Sequence, residues 1–364
     1  FENLHFQCED INGIRWFISH DRRVVSLSGT NWASYDSDDG LISTPNRIIA
    51  GSNGSIWVSG GHEGSAAIAC YNNDEWSRYE YPEIGKTFSH LAAIETKKGI
   101  FVFGCGTPVG DLKDSMGGGV VFYLVNSEYE GIVMPPPSFL PETVNVVERE
   151  GDGLWLSASR LFKYSPDSMF AAQASDFIDN YWVDRMMVDS NNHLWIACVG
   201  GGVFQYDGNS LFLHDHLTGL NDVNVMFILE DEVRGGILAL CETGFYRYDG
   251  VKWSPWGFKS GIDYKRQNHT AFQDREGAIW INFASRAWFL EGKPFDGKHY
   301  SFRTVRYNAE SEPPDTYASI SRNRFPEGSQ VYIEFSGADL WEETARHELE
   351  YSWKLNSGDW SGYA

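Results

Sequence analysis

No run of apolar residues in this 364-residue chain approaches the roughly 18 that a membrane-spanning helix needs. Basic residues are scarce: 29 Lys and Arg stand against 50 Asp and Glu, a net charge of −21. Such a surface repels phosphate backbones and anionic headgroups, which argues against nucleic acid or direct membrane contact. It also simply keeps a protein in solution. Cysteine is rare: Cys8, Cys70, Cys105, Cys198 and Cys241 are odd in number, and no two lie at metal-ligand spacing. They read as small buried apolar residues and leave the redox compartment open. Helical periodicity is missing over any useful length. A Met start and a signal peptide are missing too, and the strand pattern is unfinished at Ala364, so both ends read as cuts within a longer protein.

What is present is apolar and aromatic. Hydrophobic residues make up 42% and aromatics 15%, enough for a sizeable packed core. A run of turn residues, then an apolar residue, then Trp or a substitute, recurs seven times. The anchors are Trp16, Trp57, Phe101, Trp155, Trp195, Leu238 and Trp280, at spacings of 41, 44, 54, 40, 43 and 42 residues. Each unit reads as four short strands separated by DG, NG, NN or GG turns. The first is an apolar stretch such as Arg185–Val188; the last carries aromatics, as in NSLFLHDH. A lone four-stranded sheet cannot bury both faces, whereas seven packed round an axis can. The expectation is an all-β chain: a seven-bladed β-propeller over 1–306, its last blade ending in the outer strand HYSFRTV. No blade is shared between the two ends. Residues 307–364 then read as a partial β-sandwich, C-terminally incomplete, in which Tyr351, Trp353 and Leu355 share one strand face.

The repeat resembles that of the two-component regulator propellers. Asp189–Gly208 (DSNNHLWIACVGGGVFQYDG) with Thr218-Gly219-Leu220 matches it best; Asp274–Ile281 and Asp39–Leu41 repeat parts. Phe101 and Leu238 depart from its Trp, and Ser, Gly or Cys stands where Thr is usual. SEPPDT, FSGADLW and LEYSWKLNSGDWS are similar to landmarks of the Tyr-rich sandwich domain that follows such propellers. The resemblance implies the extracytoplasmic (periplasmic) sensing region of a bacterial transmembrane receptor, commonly for an oligosaccharide. It implies an output domain beyond this chain; a receptor that switches between two arrangements is in turn expected to be a homodimer.

No motif for catalysis, cofactor or metal emerges, so the expectation is a non-enzyme with no cofactor. His214-Asp215-His216 could offer two imidazoles, but without a third ligand an exposed edge strand fits better. The triplets Gly117–Gly119 and Gly200–Gly202 lack the Lys-Ser/Thr and helix of a phosphate loop and read as tight turns. No pair of carboxylates stands out for glycoside hydrolysis. Two other classes stay open. One is a lyase of the streptogramin-lyase type, for which His90 and His269 lie near the starts of first strands. The other is a scaffold or adhesion module. For ligand binding, the loops leading into the first strands carry Asn46, Arg47, His90, Asn145, Tyr181, Trp182, Asn224, Lys265, Arg266 and Asn268. Polar and aromatic groups round a channel mouth suit a sugar, although exposed loops are polar in any case.

Overall fold

A computed structural model describes residues 4–81, 91–97, 99, 101–107, 118–125, 128–133, 145–157, 161–165, 168–171, 178, 181–256, 270–285, 301–307, 315–320, 326–327, 333–338, 351–354, 358–359 and 361. The fold is all-β, and every sheet is antiparallel. Six sheets of four strands follow one another in chain order, each strand paired with its sequence neighbour. Their first strands are Leu4–Glu9, Thr44–Ala50, Leu91–Glu95, Asn145–Arg149, Trp182–Val188 and Val225–Glu230. A seventh sheet, begun by Thr270–Gln273, has three strands among the described residues. Asp315–Ile320 and Ile333–Ala338 form a separate two-stranded sheet.

The turn before each second strand explains the repeat. In the fifth sheet Asp189 Oδ1 accepts the backbone N–H groups of Asn191 (3.0 Å) and His193 (2.8 Å), and Oδ2 accepts the indole N–H of Trp195 (2.8 Å). Asp10 holds Trp16, and Asp274 holds Trp280, in the same way at 3.0 and 2.9 Å. One carboxylate thus closes the turn and satisfies a deeply placed donor, as buried polar groups require. Where Gly51 replaces Asp, Ser55 Oγ takes the Trp57 indole at 2.8 Å. The Y-D-G turns have a matching logic. Asp207 and Asp249 accept two N–H groups each, and Tyr206 and Tyr248 donate to the carbonyls of Gly208 and Gly250.

The loops D-x-x-x-G-L that link sheets are short 3₁₀ turns with reciprocal capping, Ser37–Asp39 and His216–Thr218. Leu41 and Leu220, which follow them, are fully buried. A Cβ on Gly219 would meet the Trp253 carbonyl oxygen at 2.3 Å, so this loop lies directly on the next sheet's last strand.

The first strands touch one another in chain order, and the seventh sheet touches Leu4–Glu9. A recurring bond ties successive sheets. The last or next-to-last residue of a first strand accepts an N–H from the preceding sheet's turn: Ser52 to Glu95 (2.6 Å), Lys97 to Glu148 (2.6 Å), Ser190 to Glu230 (2.8 Å) and Glu232 to Gln273 (2.8 Å). The seventh and first sheets use it as well, Arg275 N–H donating to Glu9 at 3.2 Å. There the fully buried Asn282 side chain pairs with both backbone groups of Phe6, at 3.1 and 2.7 Å. The Phe6 and Trp280 rings stack at 4.6 Å.

Four expectations need correction. In the third unit Val102, not Phe101, pairs with the first strand as Trp16 does, opposite Ile94. Ser301–Tyr307 pairs directly with Ile279–Ser285, so it is the third strand of its sheet rather than a fourth, and the outermost among the described residues. Tyr351–Lys354 is not a strand: Tyr351 stacks on Phe335 at 5.9 Å while Trp353 is 46% exposed. His214 is buried and stacks on Trp195 at 5.2 Å, although it ends an edge strand. Cys70, Cys198 and Cys241 are buried free thiols, as read from the sequence.

Candidate functional site

Register across the first strands defines a layer. Counting two residues past each anchor and crossing to the paired first strand gives His5, Arg47, Ala92, Asn145, Arg185, Phe227 and Thr270. The next residue along is buried between sheets at Ile48, Val146, Met186, Ile228 and Ala271. Arg47, Asn145, Arg185, Phe227 and Thr270 are instead half-buried, as period-2 alternation demands if one face lines a narrow opening. One step further lies an apolar tier with Ile49, Val147, Met187, Leu229 and Phe272.

Cross-sheet contacts bring parts of this layer and the next tier together. The Arg47 guanidinium, from the second sheet, sits 4.9 Å from the Phe272 ring centroid, from the seventh. Arg185 lies 5.4 Å from the Phe227 ring, and the two phenylalanines are 6.4 Å apart. Asn145 donates to the Asp184 carbonyl at 2.9 Å. The backbone widens here: Gln7, Asn46, Asp184 and Met226 are each bulged out of the ladder.

Charge in this layer is desolvated. Burial, with the like charge of Arg185 adding to it, pushes Arg47 down to about 10, still cationic near neutrality. Burial lowers Arg185 as well, against the pull of Asp184. Asp184 is itself pushed up to about 6 by burial, partly offset by Arg185. Cys8 beside Arg47 is held up near 12, and His5 falls to about 4, both through burial first. Those groups are therefore a neutral thiol and a neutral imidazole at pH 7.

The residues picked out in the sequence divide into three groups. Arg47 and Asn145 belong to the axial layer, with exposed Asn46 on the bulge beside Arg47. Tyr181 and Asn224 flank the Gly200–Gly202 turn of the fifth sheet. A Cβ on Gly201 would meet Tyr181 Cγ at 2.6 Å, and Asn224 bridges Val199 and donates to Glu242 at 3.0 Å. That triplet is a tight turn, with Gly200 and Gly202 at positive φ. Trp182 opens its strand opposite Val199. His90, Lys265, Arg266, Asn268 and the lyase candidate His269 lie outside the described residues, as do Gly117 and the catalytic reading built on His90. Sequence reasoning missed Asp184, Arg185, Phe227 and Phe272; Arg185 and Phe227 sit inside stretches read only as apolar strands.

His214 and His216 share no site: the first is buried and held by Gln205 (3.0 Å), the second has a side chain 69% exposed. No group of three or more metal-ligating side chains occurs among the described residues. No helix there is long and apolar enough to cross a membrane.

No protein-family model and no curated protein matches the chain. Among solved structures, it resembles the extracellular domain of the hybrid two component system BT4673 from B. thetaiotaomicron, at 14% identity and TM-score 0.54, covering 87% of this chain and 41% of that one. PorZ, a surface component of the type-IX secretion system of Porphyromonas gingivalis, gives 12% identity, TM-score 0.48, and 89% and 50% coverage. Citrobacter koseri AztD gives 12%, 0.49, and 93% and 90%. The chain thus spans half or less of the first two. At such identity the likeness speaks for fold alone.

Proposed function

We propose that the chain is a seven-bladed β-propeller over 1–306 followed by part of a β-sandwich, and that it senses a ligand outside the cytoplasm for a transmembrane receptor. The ring is supported by the Arg275–Glu9 bond, which joins the last sheet to the first as equivalent bonds join four chain-linked pairs. The observation that carries the functional reading is a contrast within the repeat. Frame positions recur chemically, while the axial layer carries His, Arg, Ala, Asn, Arg, Phe and Thr at one equivalent position. Selection for folding alone gives no reason for a half-buried arginine twice and a phenylalanine once. A ligand with distinct groups does. The BT4673 neighbour, alike in fold, is itself the extracellular domain of a two component system, which is in keeping with a sensing role outside the cytoplasm.

In this reading the ligand is an oligosaccharide, bound without turnover at the axial mouth by Arg47, Asn145 and their neighbours. It biases a homodimeric receptor only through different affinities for two arrangements. A thermal-shift screen against a glycan panel, followed by calorimetry, tests it. A glycan at 100 times its Kd is expected to add about 2.7 kcal/mol of stability. Silence across the panel with tight binding to another protein would favour the scaffold class. Turnover of a small molecule would favour the lyase.

A further inference from the structure

Two arginines, Arg47 from the second sheet and Arg185 from the fifth, face the proposed axis with no carboxylate in ion-pair contact among the described residues, although Asp184 acts on Arg185 from further off. Neither Arg47 nor Arg185 forms an ion pair among the described residues, and Arg185 Nε is buried without a hydrogen-bond partner there. The adjacent Asp184 carboxylate comes within ion-pair distance of neither. Each guanidinium instead lies on a phenylalanine. Stacking of this kind occupies the face of the cation and leaves its in-plane N–H donors available. A buried donor without an acceptor is costly, and a charged one more so. Two like charges drawn together in a desolvated place add to that cost. All this happens inside a chain of net charge −21, whose outer field turns small anions away.

We infer that Arg47 and Arg185 form an axial anion site whose occupant is a carboxylate, clamped between two guanidinium forks over the Phe227 and Phe272 rings. It rests on the ring arrangement proposed above, but not on the ligand being a sugar. The fork geometry favours a planar, bidentate oxyanion, and the two rings supply a dry floor that strengthens the pairing.

The test is calorimetry and thermal shift on the whole chain at fixed ionic strength, with acetate, D-glucuronate and D-glucose as probes. D-glucuronate is expected to bind and raise the melting temperature, and D-glucose to do neither. Acetate binding as well assigns the site to a free small carboxylate; glucuronate alone assigns it to the acid group of a sugar. Arg47→Gln and Arg185→Gln should each weaken glucuronate by tenfold or more. Without probe they should melt no lower than the parent, because each relieves a like-charge repulsion. Arg185→Lys covers the case of a misfolded Gln variant: it keeps the charge but loses the fork, and affinity should fall several-fold. Failure of both anions to bind the parent overturns the inference. So does glucose binding equal to glucuronate, or unchanged affinity in the variants. A neutral glycan that still binds when both arginines are replaced sinks the anion site and leaves the sensing role standing. Glucuronate binding with a silent glycan panel does the reverse.

Discussion

The turns of the fourth and fifth sheets occupy the same place and solve different problems. In the fifth, Asp189 spends its hydrogen bonds on its own sheet, holding two backbone N–H groups, the His193 ring at 3.1 Å and the Trp195 indole. In the fourth, Arg149 stands at the Asp position. Its Nε donates to the Asn192 carbonyl (3.0 Å) and its Nη2 to the Asp207 carbonyl (2.9 Å), both in the next sheet, while Nη1 pairs with Asp152. The guanidinium also covers Tyr206, 5.2 Å from its ring centroid. Trp155 Nε1 is left without an acceptor among the described residues, and Lys163 sits over the indole at 5.9 Å. One position in the repeat can therefore serve the sheet or the junction. Serving the junction costs the indole its partner.

Truncation of the shared anchor should give the largest effect. Trp195→Ala is expected to destabilise by about 3–5 kcal/mol in chemical denaturation, the usual range for emptying such a site. A loss under about 1 kcal/mol would remove Trp195 from the core. Asp189→Ala comes next, at about 2–3 kcal/mol, since it strands the indole and two backbone donors. Trp→Phe exchanges then separate the two sheets. Trp195→Phe leaves Asp189 Oδ2 short of a donor and should cost about 1–3 kcal/mol more than Trp155→Phe, which deletes an N–H that has no acceptor. Equal losses would mean the Asp–Trp bond adds nothing.

The smallest effect concerns His214, which stacks on Trp195 in the fifth sheet and has no counterpart described in the fourth. Burial lowers it to about 4, with Asp215 opposing, against 6.5 when unfolded. The unfolded chain therefore takes up this proton first on acidification. Its contribution is whole above about pH 6.5 and is lost as pH falls toward about 4. Melting temperatures across that window should fall less steeply in His214→Phe, which keeps the stacked ring. Parallel profiles would show that the imidazole stays neutral in neither state or in both.

The frame was readable because its chemistry repeats. Asp, Gly and Trp recur at fixed offsets, and each offset corresponds to a bond in the turn. Reading failed where the marker residue was missing. Ile100-Phe101-Val102 offers three apolar candidates and no indole, so the anchor was placed one residue early. The axial layer was half legible. Arg47 and Asn145 were found because polar residues at a strand's start are conspicuous. Arg185 and Phe227 were passed over as ordinary strand residues. Counting ten back from the corrected anchors reaches the layer in five sheets, and misses by one where Gln7 bulges and where the turn before Leu238 holds an extra residue. Such irregularities leave no trace in hydrophobic alternation.

The junction of the first and last sheets behaves as a clasp rather than a weld. Every other neighbouring pair is also joined by a stretch of chain; here Asn282, the stacked Phe6 and Trp280 rings and the Thr304 hydroxyl on the Leu4 carbonyl do the holding. Thr304 lies on Ser301–Tyr307, the last strand before the segment that leads to Asp315–Ile320. Tension drawn back along that segment loads this strand before it reaches any other sheet. A pull at the far end would therefore act first on the contacts between the seventh sheet and the first.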